Sequence, residues 1–240
     1  ATISRCGMVY VDPRNLGYWP YLKTWVNMAP YLENEEHRGL MMNLLEKYVD
    51  PLISFIFDGI EPKAEGDEED VIVARPKLTT PRTNLNVVQQ LTNLIDSLFH
   101  ESMEGEESDV KADDKGSAAI LGDLQVLESL FLTCLTWSFG ASMPRSTAAD
   151  ERSRFDSIVK KVAGLQSSDQ PVVPCSQVPS QTLYDYFFDV KKKSWVSWKS
   201  LVPEYDSTED VKFSKVLIPT VDTVRSVSYT HLTLPTTSFV

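Results

Sequence analysis

The residue best suited to chemistry in this sequence is an arginine near its beginning. Arg5 lies in a Ser-Arg-Cys-Gly turn, directly before the apolar residues 8–11, which we predict to be a short buried strand. A guanidinium is planar and always charged, so it binds phosphate and carboxylate groups through two parallel hydrogen bonds. We therefore predict that Arg5 projects from the edge of a sheet toward an anionic group. An ordinary structural salt bridge is the alternative role.

Other kinds of catalytic motif are missing from the sequence. It contains no GxxxxGK[ST] phosphate-binding loop and no apolar strand ending in paired acids placed to hold Mg²⁺. Its histidines, His37, His100 and His231, are isolated, and neither an HExxH motif nor a Gly-x-Ser-x-Gly turn occurs. We therefore expect no complete ATP site, no metal site and no hydrolase nucleophile in this chain.

The charge of the chain limits its partners. The net charge is −11 at pH 7, so there is no basic field to attract a nucleic acid backbone. Much of the acidity lies at residues 61–70 and 101–114, which we predict to be solvated loops. No apolar run approaches the roughly 18 residues that a membrane span needs. Nucleic acid and membrane are therefore not expected as partners.

The three cysteines indicate a reducing compartment. Cys6, Cys134 and Cys175 are far apart and form no CxxC motif, which argues against both a disulfide framework and a zinc site. With 42% hydrophobic residues, the composition is that of an ordinary globular protein. We expect a soluble intracellular protein.

The first two thirds of the chain have the pattern of amphipathic helices, with apolar residues at spacings of three and four. The predicted helices cover residues 18–29, 35–57, 83–98 and 120–139, and a fifth begins at a Thr147 capping box and continues to residue 164. The first is rich in aromatic residues that we expect to attach it to a core, and the broad apolar face of the fourth indicates a central, buried helix. Pro51 is expected to kink the second helix or to restart it with Asp50 as cap.

The last third of the chain has a different composition. Residues 166–180 hold three prolines and several small polar residues, so we predict a connector. Aromatic and β-branched runs at residues 183–190, 194–198 and 211–218 are typical of strands. The predicted fold class is α+β and mostly α.

Three segments in series resemble the dynein heavy chains, the AAA+ motors of microtubule transport and ciliary beating. They are ATISRCGMVY at residues 1–10, WSFG at residues 137–140 and IPTVDTVR at residues 218–225. The first differs from the family's ATVSRCGMVY at Ile3. The continuation VDPRNLGYWPYLKTWV, residues 11–26, is more similar to axonemal than to cytoplasmic heavy chains. The resemblance implies an internal piece of an axonemal heavy chain, an ATP-driven motor.

The resemblance also implies how the chain is divided. Residues 1–12 would be the end of the second AAA+ large subdomain, and residues 13–165 would be the helical lid of that module. Residues 166–180 would be a linker, residues 181–225 the start of the third AAA+ module, and residues 226–240 a tail. The tail, SVSYTHLTLPTTSFV, resembles translated sequencing adapter, so we expect it to be non-native. A genuine tail is expected to form an edge strand at residues 229–234.

The resemblance gives Arg5 a specific role. In ring ATPases of this kind each active site lies between neighbouring modules, and an arginine of the next module reaches the γ-phosphate, where charge shifts during transfer. Arg5 would then be a catalytic arginine finger that acts in trans on the preceding ATP site.

Four further residues are candidates for nucleotide binding on the same resemblance. Trp137 falls where an AAA+ lid approaches its own nucleotide, although core packing is the alternative for this residue. Pro219, Thr220 and Asp222 belong to a segment that lies against the adenine of the third module in this fold. A linker strand is the alternative for residues 218–223.

The cofactor and partners follow from the parent motor. The resemblance implies ATP, with Mg²⁺ in the parent motor, and partners that comprise neighbouring AAA+ modules of the same chain, microtubules and dynein intermediate and light chains. It implies a place in the cytoplasm, the cytoskeleton and the axoneme of the cilium. The function would be to couple neighbouring modules. Two other functions stay open, the lid of another AAA+ ATPase such as a clamp loader and a non-enzymatic helical scaffold.

Overall fold

A computed structural model describes residues 16–32, 34–63, 71–104, 120–144, 150–164, 182–190, 192–202 and 220–233. Arg5 and Pro219 lie outside these ranges. So do Thr147, the predicted strands at residues 8–11 and 211–218, the connector at residues 166–180 and most of both acidic segments.

Helices make up most of the described structure, which confirms a mostly helical α+β class. They are α1 (Trp19–Met28), α2 (Glu35–Ile53), α3 (Asn84–Glu104), α4 (Leu124–Ser138), α5 (Glu151–Val162) and α6 (Val221–Thr233). Helices α1 to α5 confirm the predicted helices. Side chains help to begin two of them, since the Thr83 hydroxyl accepts from Asn86 N at 3.2 Å and the Asp123 carboxylate accepts from Gln125 N at 3.1 Å.

The strands form two small antiparallel pairs. Strand β1 (Ile60–Glu61) pairs with β2 (Val71–Ile72), and β3 (Tyr186–Asp189) pairs with β4 (Ser194–Ser197). The predicted strand at residues 183–190 is therefore correct from Tyr186 onward. Its beginning is a 3₁₀ turn, Leu183–Asp185, in which the Thr182 hydroxyl donates to the Asp185 carboxylate at 2.5 Å.

Two alternatives for the end of the chain are wrong. Residues 221–223 open helix α6 and do not form a linker strand, and the same helix replaces the edge strand expected from residue 229 onward. Its first turn is closed by Thr220, whose hydroxyl accepts from Thr223 N at 3.2 Å. The helix crosses residue 226, where the predicted tail begins, and the origin of that tail stays a prediction.

Of the two alternatives at Pro51, the restart of the second helix is wrong, and the kink stays a prediction. Helix α2 continues to Ile53 and passes into a π-helical turn, Ser54–Asp58, where Ser54 N donates to the carbonyls of both Asp50 and Pro51. Because proline has no N–H, the turn that contains Pro51 lacks one helical hydrogen bond. Asp50 does not cap a new helix, since its carboxylate accepts from Tyr18 at 2.5 Å and from Trp19 at 2.9 Å.

Helix α4 is the centre of the core, as its broad apolar face predicted. Of its 15 residues, 12 are buried. One of them is the acidic Glu128, 2% exposed, which accepts from the Tyr48 hydroxyl at 2.5 Å and from Lys47 Nζ at 2.9 Å. The buried carboxylate is tolerated because it is paired with a cation and accepts a hydroxyl hydrogen bond, both from helix α2.

Trp25 of α1 and Tyr31, which follows this helix, attach α1 to α3, and so the predicted role of the aromatic residues in anchoring α1 to the core is confirmed. Trp25 Nε1 donates to Asp96 at 3.0 Å, and the Tyr31 hydroxyl donates to the same carboxylate at 2.6 Å. Tyr31 also stacks on Phe99, with ring centroids 4.2 Å apart. Burial raises the pKa of the Asp96 carboxyl, while the bonds from Tyr31 and Trp25 act in the opposite direction.

Candidate functional site

The loop that follows helix α4 is bonded by side chains from several distant parts of the chain. Its backbone carbonyls, and the last carbonyl of the helix, are acceptors that no helical N–H satisfies. Arg82 Nη1 donates to the Ser138 carbonyl at 3.3 Å, and Tyr184 Oη donates to the Gly140 carbonyl at 3.0 Å. Thr79 Oγ1 donates to the Ser142 carbonyl at 2.8 Å, and Arg152 Nε donates to the Met143 carbonyl at 3.0 Å. This loop is therefore where residues 79–82, helix α5 and the segment that begins at residue 182 are joined to α4.

Gly140 makes this junction sterically possible. A Cβ atom at this position would lie 2.0 Å from Tyr184 Oη, 2.7 Å from the Thr136 carbonyl oxygen and 2.9 Å from Phe155 Cδ1. Real Cβ atoms do not approach other atoms that closely, so the hydroxyl of Tyr184 reaches the loop because this residue has no side chain. The last residue of the WSFG segment is thus explained by packing.

Tyr184 fills the space beside Gly140 and is itself 2% exposed. Burial raises the pKa of its hydroxyl, which keeps the proton that it donates to the loop. The 3₁₀ turn that carries it is fixed by Asp156 of α5, which accepts from Leu183 N at 2.7 Å and from Lys160 Nζ at 2.7 Å. Arg152 lies over the tyrosine ring, with its guanidinium carbon 5.2 Å from the centroid.

Trp137, a predicted nucleotide-binding residue, packs in this junction. It is 8% exposed, and its ring meets that of Tyr184 edge to face at 5.6 Å. The guanidinium carbon of Arg225 lies 5.2 Å from the centroid of the Trp137 ring. The described contacts of Trp137 are therefore those of the packing alternative, and its approach to a nucleotide stays a prediction.

Arg225 connects helix α6 to the same junction. Its side chain is 6% exposed, Nη1 donates to the Tyr184 carbonyl at 3.0 Å, and Nη2 pairs with the Asp222 carboxylate. Asp222 is the exposed partner of this pair, with a side chain 73% exposed. A buried guanidinium is stabilised here by one carboxylate, one carbonyl and one aromatic face.

The structure thus brings two of the predicted site residues together through a third that the sequence did not single out. Trp137 and Asp222 both contact Arg225, whereas Thr220 lies in the turn before α6. The spacing of Asp222 and Arg225 is that of an i,i+3 ion pair on a helix, so the pair was detectable only if residues 221–225 were taken as helical.

The described residues form neither a metal site nor a membrane-spanning helix. There, no group of three or more His, Cys, Asp or Glu side chains is placed to hold a metal ion. No helix within the same ranges has the length and apolar character needed to cross a membrane.

Comparison with known proteins gives a consistent result. The profile of the family described as "Dynein heavy chain AAA lid domain" matches residues 41–200. The chain is 38% identical over 217 residues to the dynein-1-alpha heavy chain of the flagellar inner arm I1 complex of Chlamydomonas reinhardtii. It is 40% identical over 221 residues to human dynein axonemal heavy chain 10 and 27% identical over 219 residues to human dynein axonemal heavy chain 6. Each alignment covers 90% of this chain and 4% of the relative.

Proposed function

The chain belongs to the dynein heavy chain family, and we propose that it is the helical lid of one AAA+ module together with the start of the next, within a longer axonemal motor. The family profile is that of the AAA lid domain, and it covers residues 41–200. Because the chain spans about 4% of the length of its relatives, the activity of the whole motor comes to it by this proposal. The clamp-loader alternative is wrong, since the family is that of the dynein heavy chains.

The proposed role is to couple neighbouring modules, and the junction around Arg225 carries it. Trp137 belongs to the lid helix α4, while Arg225 belongs to α6, in the segment that resembles the start of the third module. Between them lies Tyr184, bonded to both sides through its hydroxyl and its carbonyl. Helix α6 therefore cannot rotate away from α4 without separating a buried charge from its ring and its acceptor.

Such a contact suits a motor because packed and charged interfaces resist small displacements. Sub-ångström shifts at one site are passed on when the elements between the sites move as rigid bodies. Here the lid loop is bonded to α5 through Arg152, and to the 3₁₀ turn through Tyr184. A nucleotide-dependent rotation of the lid would be transmitted to α6 through these bonds.

The remaining parts of the proposal concern the motor as a whole. Arg5 would supply the arginine finger to the preceding ATP site, with Mg²⁺ held by the parent motor, and Pro219, Thr220 and Asp222 would lie near the adenine of the third module. Microtubules and the dynein intermediate and light chains would be partners of the parent. The similarity to a flagellar inner arm heavy chain and to axonemal heavy chains supports a place in the axoneme of a cilium or flagellum.

A double-mutant cycle tests whether Trp137 and Arg225 are coupled. We expect Trp137→Leu and Arg225→Met to have a coupling energy of about 1–2 kcal/mol in the free energy of unfolding. Each substitution alone already removes the buried cation–π contact, so the double variant should lose less stability than the sum of the two single variants. The measurement is urea unfolding of the four variants of the chain.

A matched cycle combines Arg225→Met with Phe55→Leu. Phe55 makes a similar contact, with the Arg154 guanidinium carbon 5.0 Å from its ring centroid. This control pair should be additive within about 0.5 kcal/mol. An additive result for Trp137 and Arg225 as well would remove the contact that supports the proposed coupling.

A further inference from the structure

An open groove of about 530 Å³ lies on the surface between helices α1 and α2. It is lined by Lys23, Val26 and Asn27 of α1 and by Glu35, Arg38, Gly39 and Met42 of α2. None of these residues takes part in the junction around Arg225. We call this space the α1–α2 groove.

The apolar part of the groove is kept open by a glycine. Val26 is buried and Met42 is half-buried, so both present an apolar surface to the groove. Between them in the lining, Gly39 stands inside α2, where glycine is less favourable than alanine. A Cβ at Gly39 would meet no atom within 4 Å, so packing among the described residues does not require glycine there. A glycine in this place allows another backbone to approach the helix closely.

The charges of the groove differ in sign from those of the whole chain. The lining contains two cations and one carboxylate, whereas the net charge of the chain is −11. Arg38 is half-buried, and its Nε donates to the Leu32 carbonyl at 2.8 Å. In the part of the chain that the structure describes, Lys23 forms no ion pair and Arg38 bonds through Nε alone. The ammonium of Lys23 and the two Nη atoms of Arg38 can therefore pair with carboxylates from outside.

The single carboxylate of the lining has a role within its own helix. Glu35 lies in the first turn of α2, where an acidic side chain offsets the partial positive charge of the helix N-terminus. It reduces the attraction of the groove for an anion without cancelling two cations. A groove with net positive charge beside an apolar surface is complementary to carboxylates that flank an apolar side chain.

We propose that the α1–α2 groove binds a short acidic segment of a separate protein. One apolar side chain of this segment packs on Val26 and Met42, and the carboxylates beside it pair with Lys23 and Arg38. The size of the groove favours a short segment, because it accommodates only a few side chains, whereas domains of one chain usually pack over roughly 600–1,500 Å². Solvent-exposed ion pairs are weak and screened by salt, which suits a partner that binds reversibly.

Photo-crosslinking of the intact heavy chain with a defined peptide tests the inference. The peptide is acetyl-Glu-Glu-Bpa-Glu-Glu-amide, in which Bpa is the photoreactive residue p-benzoylphenylalanine. We expect adducts on Val26 or Met42, at about tenfold higher yield than with the matched peptide that carries four lysines instead of glutamates. The yield should fall severalfold, on the order of fivefold, when salt is raised from about 50 to about 300 mM.

Charge substitutions in the heavy chain should change the yield in opposite directions. Lys23→Gln should lower it about threefold, and Glu35→Gln should raise it about twofold, because the first removes an attractive charge and the second a repulsive one. Lys77→Gln is the matched control, since Lys77 is an exposed lysine outside the groove, and it should leave the yield unchanged.

Gly39→Ala separates binding from folding. The added methyl group takes space that the bound segment needs, so the adduct yield should fall about fivefold. Because alanine is the better helix former, the same substitution should stabilise α2, and a lower yield would not result from unfolding.

Three results would overturn the inference. Absence of adducts on Val26 and Met42 would mean that the groove is closed or is covered by the heavy chain itself. Equal yields from the lysine peptide would show that charge does not select the occupant. Unchanged yields in both Lys23→Gln and Gly39→Ala would show that the peptide binds elsewhere.

Discussion

Replacing Gly140 by alanine is expected to lower the free energy of unfolding of the chain by about 3 kcal/mol. The added methyl group would overlap Tyr184 Oη at 2.0 Å and crowd the Thr136 carbonyl oxygen at 2.7 Å. Relief requires Tyr184 to move, which breaks its hydrogen bond to the loop and displaces the carbonyl that binds Arg225. Urea unfolding of the purified chain measures the loss.

Two further variants identify the cause of that loss. Gly39→Ala in helix α2 is the matched control, because nothing lies within 4 Å of a Cβ there, and it should stabilise the chain by about 0.5–1 kcal/mol. In a Tyr184→Phe background, Gly140→Ala should cost about 1 kcal/mol less, since the nearest clashing atom is gone. A neutral Gly140→Ala variant would mean that Tyr184 does not occupy this space.

Replacing Arg5 by lysine in the heavy chain is expected to reduce ATP hydrolysis at the preceding site by about 10³-fold. Lysine keeps the positive charge but is a compact point charge, so it cannot bond two phosphate oxygens with a planar fork. The Kd for ATP should change by less than about threefold, because an arginine finger, the role proposed for Arg5, acts mainly on the charge that develops during transfer. Single-turnover hydrolysis and equilibrium nucleotide binding measure the two effects separately.

An exposed arginine provides the matched control for this change. Arg75 lies after strand β2 on the surface, and Arg75→Lys should leave both ATP binding and hydrolysis unchanged. Normal hydrolysis in the Arg5→Lys variant would show that Arg5 is a structural arginine, whereas parallel losses of binding and hydrolysis would indicate a role in folding or ATP binding.

The helices were predictable because they have a strong local signal. Apolar residues at spacings of three and four gave α1 to α5, and the broad apolar face of α4 correctly placed it at the centre of the core. The second helix does not restart at Pro51, because proline removes only one hydrogen bond, while the surrounding α2 contacts, including buried Tyr48 and Leu52, keep the helix in place. Tertiary packing was stronger there than local propensity.

The junction was only partly predictable because its contacts join residues distant in sequence. Trp137 and Asp222 were singled out by resemblance, yet nothing local indicates that Arg225 binds the carbonyl of Tyr184, which precedes it by 41 residues. The fourth helix was predicted to end at residue 139, directly before Gly140, but the closeness of Gly140 to Tyr184 and Phe155 depends entirely on the fold. Strands β1 and β2 have two residues each, too few to show a period.

The most direct test of the proposed coupling is the ATP turnover of the heavy chain carrying Arg225→Lys, measured with and without microtubules. Lysine cannot pair with Asp222, donate to the Tyr184 carbonyl and lie flat on Trp137 at once, so we expect basal turnover within about twofold of the unmodified motor and stimulation by microtubules reduced about fivefold. Arg75→Lys should leave both rates unchanged. Full stimulation in a folded Arg225→Lys motor would contradict the proposal that this junction couples the two modules.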